Sequence, residues 1–260
     1  MLVLKGDCLS VMAGLPDKSV DLIICDLPYG CLGPNKAGGG VITERQNTGG
    51  AFGGCPWDIP IDLEIFWKEV RRIRKDDHTP TLHFCNTRFG YELIKSNEKE
   101  FRYDLIFDKQ KGISFLLANK MPMKSHEMIY IFSKAGANYY RKDIVGDFKS
   151  YNKRSKAEEC SHFATARKAS KAEEGKRCAL SVISVMNNPK SNKRTKAHPT
   201  EKPRELYKWL IERYSKEGDV VLDPTFGSGN SIFTAHEMGR KAIGIEKDNA
   251  FFWKAISAII

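Results

Sequence analysis

Four consecutive residues, Asp26-Leu27-Pro28-Tyr29, offer a carboxylate acceptor, a backbone carbonyl turned outward by proline rigidity, and an aromatic face. Those features suit a flat ring that bears an amino group: two acceptors meet its two N–H donors, and a second ring stacks on it. Another cluster, Asp223-Pro224-Thr225-Phe226-Gly227-Ser228-Gly229-Asn230, carries glycines that let a ligand approach the backbone, and Glu246 follows Gly229 by 17 positions. An acid at that distance, at the tip of the next strand, can accept hydrogen bonds from two ribose hydroxyls.

The Gly-x-Gly-x-x-Gly spacing of a dinucleotide site is missing from this loop, and with it any evident pyrophosphate cradle. Asp223, at a strand end facing the loop, suits an ammonium group better than a polyanion. A cofactor with both a ribose and an amino-acid tail therefore fits, and S-adenosylmethionine has both. Read alone, each cluster also fits an ordinary strand-ending turn, where Asp, Gly and Pro are common.

Apolar patterning places these clusters on regular elements. The run Val20–Cys25 reads as a buried strand that ends directly in Asp26. Leu63, Phe66, Trp67, Val70 and Ile73 recur at helical spacing, and the basic stretch 71–75 closes that helix. Strand-like runs follow at 81–85, 104–107 and 128–132. Later, 181–185 reads as a strand, Pro203–Lys216 as a helix, 220–222 as a strand, 231–238 as a helix and 242–245 as a strand ending at Glu246. Strands alternating with helices predict an α/β sheet, with both clusters at the ends of buried strands.

Two segments break the pattern. Of the 24 residues from Cys31 to Gly54, 8 are glycine, which predicts a long mobile loop serving either as a lid or as plain surface. Between Lys134 and Ala197 stand 16 basic and 6 acidic residues, so this segment holds the whole net charge of +10. It repeats Ser-Lys-Ala-Glu-Glu at 155–159 and 170–174, too short a repeat for a solenoid. Such a segment is either a surface that meets phosphate backbones or a solvated linker.

Composition excludes several classes. At 260 residues and 41% apolar content the chain can build one domain with a modest insertion, and wholesale disorder is excluded. The longest apolar run, Ala255–Ile260, is far short of the ~20 residues a membrane span needs, and the opening residues resemble no signal peptide. A cytoplasmic protein with no membrane partner is expected. The 7 cysteines are scattered without Cys-x-x-Cys and the 6 histidines are isolated, so neither a disulfide frame nor a metal is expected.

With both clusters placed, the chain resembles the S-adenosylmethionine-dependent amino-methyltransferases of DNA, the family that carries an Asp-Pro-Pro-Tyr motif. The resemblance runs along nearly the whole chain. Asp26-Leu27-Pro28-Tyr29 is similar to the catalytic motif, and Gly6-Asp7 to the acidic contact with the cofactor adenine. Trp57-Asp58 and His126-Glu127-x-Ile129-x-x-Phe132 resemble weaker blocks. His198-Pro199-Thr200-Glu201-Lys202-Pro203 resembles the stretch over the methionine end of the cofactor, and Asp223 to Gly229 the cofactor loop. Catalytic motif, basic segment and cofactor motifs in that order resemble the family's β group. Two positions depart from the pattern: Leu27 replaces the first proline, and Phe226 stands one residue later than the usual aromatic.

The resemblance implies an α/β fold with a Rossmann-like, mostly parallel methyltransferase sheet of permuted motif order and a basic target-recognition insertion. The implied division is a catalytic half over 1–133, the insertion over 134–180, and a cofactor half of the same domain over 181–260. Catalysis would rest on Asp26, Leu27, Pro28 and Tyr29. S-adenosylmethionine would be bound by Asp7, His198, Thr200, Lys202, Asp223, Pro224, Phe226, Gly227, Gly229, Asn230 and Glu246. Double-stranded DNA would meet Lys153, Arg154, Arg167, Lys168, Lys193 and Arg194.

The implied reaction is methylation of the N6 amino group of a flipped adenine, because cytosine-directed members more often begin the motif with Ser. The implied setting is site-specific DNA modification, with room for a homodimer and for a partner restriction endonuclease. Methylation at cytosine carbon 5 is disfavoured, since Cys55-Pro56 reverses the order that chemistry uses. The alternatives are an N4-cytosine DNA methyltransferase, an enzyme acting on RNA or protein side chains, and an inactive DNA-binding homologue.

Overall fold

The computed structural model describes residues 1–30, 58–113, 115–146, 175–185 and 201–257. In chain order its elements are β1 (Leu2–Lys5), α1 (Cys8–Ala13), β2 (Leu22–Cys25), α2 (Leu63–Ile73), β3 (Thr81–Cys85), α3 (Thr87–Ser96), β4 (Phe101–Ile113), β5 (Lys124–Phe132), β6 (Ile144–Val145), β7 (Lys176–Arg177), β8 (Val182–Ser184), α4 (Arg204–Tyr214), β9 (Val220–Asp223), α5 (Asn230–Glu237), β10 (Lys241–Glu246) and α6 (Asn249–Ile256). They form two compact units, Met1–Tyr139 with Ser181–Ile260, and Tyr140–Leu180. In the smaller unit β6 and β7 pair antiparallel. Residues 134–139, which their charge groups with the insertion, belong to the larger unit, where Ala135 N–H donates to Asp77 O and Asn138 N–H to His78 O.

The larger unit is built on an eight-stranded sheet of order β1-β10-β9-β2-β3-β5-β4-β8. The first five are mutually parallel, β5 runs antiparallel to both β3 and β4, and β8 lies parallel to β4. Every residue of β2 and β3 is buried; β2 therefore reads as an unbroken apolar run, while β3 carries Thr81 and His83 among its apolar residues. Alternation divides them between two apolar layers. Leu22, Ile24, Leu82 and Phe84 pack with Leu206, Leu210 and Tyr214 of α4, whereas Ile23 and Cys25 pack with Phe66, Trp67, Val70 and Ile73 of α2.

Local chemistry sets the helix positions. Asp62 caps α2 by accepting from Glu64 N–H and Ile65 N–H, and Asn86 caps α3 by accepting from Phe89 N–H. The apolar spacing gives α2 its buried face, while Arg72 in its last turn donates to the carbonyls of Leu15 and Met12. Not drawn from the sequence were the short β1, α1 and α6, and also α3, whose ten residues nonetheless bury one face through Phe89, Gly90 and Leu93. In α3 the helix-weakening Gly90 has a packing reason: an added Cβ would stand 2.6 Å from the Tyr130 ring.

From β9 the chain goes by α5 to β10 on one side; from β2 it goes by α2 to β3 on the other. The C-terminal ends of these adjacent strands therefore lie where the connections diverge, and that is where open parallel sheets form ligand crevices.

Candidate active site

Asp26 begins the turn that leaves β2, beside the loop leaving β9. Its Oδ1 accepts from the Tyr29 hydroxyl at 2.7 Å, and its backbone carbonyl accepts from Thr225 Oγ1 at 3.2 Å. Leu27 is buried in the core. The half-buried Tyr29 ring stacks on Phe89 of α3 at 5.0 Å, and burial pushes its phenol well above the ordinary range, with Asp26 and Glu127 adding to the effect. Tyr29 therefore serves as a hydrogen-bond donor. Gly30, at φ +65, closes the turn with its N–H on Asp58 Oδ1 at 2.9 Å, and a Cβ there would strike Pro60.

The second oxygen of Asp26 carries an ion pair that the sequence grouping did not suggest. Lys202, placed with the cofactor residues by its motif, puts Nζ 2.5 Å from Asp26 Oδ2 instead. The same ammonium lies 3.4 Å from Glu127 Oε2, and Lys109 Nζ holds Glu127 Oε1 at 2.5 Å. Lys202 is only 5% exposed and sits 5.0 Å over the Phe84 ring. Burial opposes its charge, yet Asp26 and Glu127 hold its pKa above the ordinary value. Burial would likewise raise Glu127, but Lys202 and Lys109 pull it down to about 2. Four charges of alternating sign thus neutralise one another in a largely dry space, although Glu127 Oε2 has no hydrogen-bond partner among the described residues and meets Lys202 by charge alone. Glu127 lay in a block the sequence singled out without a role; Lys109 gave no signal, because only the pairing of β4 with β5 sets it beside Glu127.

The loop after β9 is braced from beneath. Asp223, expected to face a ligand ammonium, is only 2% exposed and turned inward: Oδ1 accepts from Thr225 N–H at 2.9 Å and Oδ2 from the Ser231 hydroxyl. Burial pushes it up to about 7, against the lowering effect of Ser231 and Thr225. Glu246, at the end of β10, accepts from Gly227 N–H at 2.9 Å and Asp248 N–H at 2.7 Å. Its pKa is raised by burial. Each of its oxygens retains a further lone pair for a hydroxyl.

Gly227 and Gly229 take φ of +51 and +82, and a Cβ on Gly229 would fall 2.4 Å from the Phe233 ring. The Phe226 side chain is buried, packed on Gly244 and Phe252, so its ring serves the core. Pro224 follows Asp223 in this loop, and Asn230 Nδ2 donates to the Lys202 carbonyl at 2.9 Å. Lys202 thus touches one cluster by its side chain and the other by its backbone. Asp7 caps α1 and pairs with Lys247 at 3.2 Å, while Gly6 N–H bonds Glu246 O at 3.0 Å and brings that corner to the end of β10.

His198 and Thr200 lie outside the described residues, as do Lys153, Arg154, Arg167, Lys168, Lys193 and Arg194, Trp57, and the glycine-rich stretch 31–54. Among the described residues, no three His, Cys, Asp or Glu side chains are grouped to hold a metal, and no helix is long and apolar enough to cross a membrane.

The family model described as DNA methylase matches residues 20–256. The Type II methyltransferase M.HinfI of Haemophilus influenzae is 28% identical over 263 residues, covering 96% of this chain; the chain spans 65% of that relative's length. The Type II methyltransferase M.HpaI of Haemophilus parainfluenzae is 49% identical over 55 residues, 21% of this chain and 18% of the relative. Among solved structures, the M1.HpyAVI-SAM complex superposes with a TM-score of 0.61 at 17% identity, covering 99% of this chain and 98% of that one. PvuII DNA methyltransferase (cytosine-N4-specific) gives 0.64 at 14% identity, covering 99% and 86%. At those identities the likeness is one of fold.

Proposed function

The chain belongs to the N6/N4 DNA methylase family, and on that premise we propose that it moves a methyl group from S-adenosylmethionine to the N6 amino nitrogen of an adenine flipped out of double-stranded DNA. The observation that carries this reading is the 3.2 Å bond from Thr225 Oγ1 to the Asp26 carbonyl, which ties the amino-accepting turn to the glycine loop at the ends of adjacent strands. A site for a base and a site for a nucleoside-bearing cofactor then share one crevice.

The residues present fit that cofactor. Gly227 and Gly229 leave backbone without side chains next to Glu246, whose spare lone pairs suit ribose hydroxyls. Held there by Glu246 and the loop backbone, S-adenosylmethionine would supply an electrophilic sulfonium methyl to the amino nitrogen, and the proton that nitrogen gives up would pass to solvent along its hydrogen bond to Asp26.

The chain's own groups prepare the nitrogen. Its lone pair is delocalised into the ring, so attack requires the amino group to become tetrahedral. Asp26 and the Leu27 carbonyl accept the amino hydrogens and favour that geometry, and Tyr29 supplies the stacking face. Lys202 and the Tyr29 hydroxyl fix the two Asp26 oxygens, making Lys202 a positioning residue. The cationic segment, with Lys153, Arg154, Arg167, Lys168, Lys193 and Arg194, supplies phosphate contacts that offset base extrusion.

The test is transfer of labelled methyl to unmethylated genomic DNA, with product nucleosides identified by mass. 6-Methyladenine that vanishes in Asp26→Ala sustains the reading. N4-methylcytosine would keep the reaction and change the base. No transfer to DNA, with cofactor bound, would overturn it.

A further inference from the structure

Strands β4 and β5 form a hairpin that pairs Phe107 with Glu127 midway along its length, beside Lys202 and Asp26, and whose outer end reaches Ile113 opposite Lys124. At the connection the apolar side chains face outward: Phe115 is 78% and Leu116 92% exposed, and Met121 and Met123 are exposed as well. Adjacent exposed apolar residues on a projecting tip are costly unless something covers them.

The charge around the tip says what that is. From Lys109 to Lys124 the chain holds Lys109, Lys111, Lys120 and Lys124 and not one acid. Lys109 is engaged by Glu127, but Lys111 and Lys120 are exposed. An apolar point flanked by cations fits duplex DNA, in which an apolar wedge enters between base steps while ammonium groups meet the phosphates. The tip lies on the side of the site: Cys85, the last residue of β3, pairs with Met128, and the hairpin continues past that strand end to Ile113 opposite Lys124, with a register shift after Asp108 and Gln110 at φ +53. At ~3.3 Å per extended residue the tip stands at most about 20 Å beyond the Phe107–Glu127 pair, the irregularity at Gln110 shortening that span, and a duplex seated at the site would reach it.

We propose that Phe115 and Leu116 are a DNA-opening wedge, entering the base stack of the duplex whose base is presented to Asp26, with Lys111 and Lys120 on the flanking phosphates. This rests on the methyltransferase reading and adds a contact that no motif marks. Stacking against the opened step offsets the cost of extrusion.

The test compares the full chain with Phe115→Ala/Leu116→Ala and with Lys111→Ala/Lys120→Ala. Duplex binding is read by anisotropy across a salt series, alongside cofactor affinity and sedimentation. The apolar double variant should weaken duplex binding about tenfold with its salt slope kept, as expected for lost stacking, whereas the lysine pair should lower the slope by about two. Cofactor affinity should stay unchanged in both. Normal wild-type binding with unchanged duplex affinity in Phe115→Ala/Leu116→Ala overturns the wedge and leaves the methyltransferase reading standing. If that variant instead splits a dimer while keeping its DNA affinity, the tip covers a second copy and the wedge is wrong. A wild-type chain that binds no duplex overturns both.

Discussion

Lys202 Nζ lies 2.5 Å from Asp26 Oδ2 although 176 positions separate the two residues. The contact joins the end of β2 to the residue two positions before α4, and it sets the charge balance of the candidate site. Removing one member of a buried ion network leaves its partners uncompensated, so the network is sensitive to each of its parts.

Lys202→Met should destabilise the fold by about 3 kcal/mol, because Asp26 and Glu127 are left facing each other. Adding Glu127→Gln should recover part of that loss while turnover stays low. Urea unfolding of the single and double variants checks the first point and methyl transfer the second. A double variant no more stable than the single one would mean that Glu127 is not the group left unpaired.

Glu246→Ala should weaken S-adenosylmethionine about tenfold or more by removing the proposed ribose acceptor and leaving the N–H groups of Gly227 and Asp248 without it. Asp26→Ala should bind the cofactor nearly as the wild type does while losing transfer. Calorimetric titration separates the two. Equal affinities in Glu246→Ala and wild type would remove Glu246 from the cofactor site.

His83 gives the fold an acid limit. It is fully buried among Phe66, Trp67 and Phe132, its two ring nitrogens have no hydrogen-bond partner among the described residues, and burial pushes its pKa down to about 3 from 6.5. The unfolded chain takes up a proton near pH 6.5 and the folded one does not until near 3, so stability from this residue is complete above 6.5 and is lost as pH falls toward 3. His83→Phe should therefore gain about 2 kcal/mol over wild type on going from pH 8 to pH 5. Any packing penalty of the larger ring is independent of pH and drops out of that difference, which thermal melts at the two pH values read directly. A gap that does not change with pH would mean His83 is protonated in the fold.

Asp223 carries the opposite sign. With its carboxyl pushed up to about 7, the cost of burying its charge is absent at low pH and grows as pH rises from the ordinary carboxylate range through 7. Asp223→Asn should gain stability relative to wild type between pH 5 and pH 8. A pH-independent difference in melting temperature would show that Asp223 is charged throughout.

The site was legible in the sequence to the extent that it depends on local order. Buried strands show as short runs rich in apolar residues because both faces are largely covered, so β2, β3, β9 and β10 could be drawn despite His83 and Lys241, and with them the turns at Asp26 and Asp223 and the acid at Glu246. Glycines in the loop after β9 were readable for the same reason: positive φ is a local demand. The helix α3 was passed over although Phe89 and Leu93, four positions apart, mark its buried face: Gly90 between them argues against a helix along the chain, and only the packing of Tyr130 against it gives the reason.

What the sequence alone determined, then, is which residue types stand at the strand ends, since backbone periodicity is written into neighbours along the chain. Which of those groups meet was decided by tertiary structure. Lys202 faces Asp26 rather than the glycine loop, Asp223 turns under that loop instead of out of it, and Lys109 and Glu127 join across a hairpin. Charge pairing in a buried space depends on distance through the fold, and separation along the chain carries no record of it.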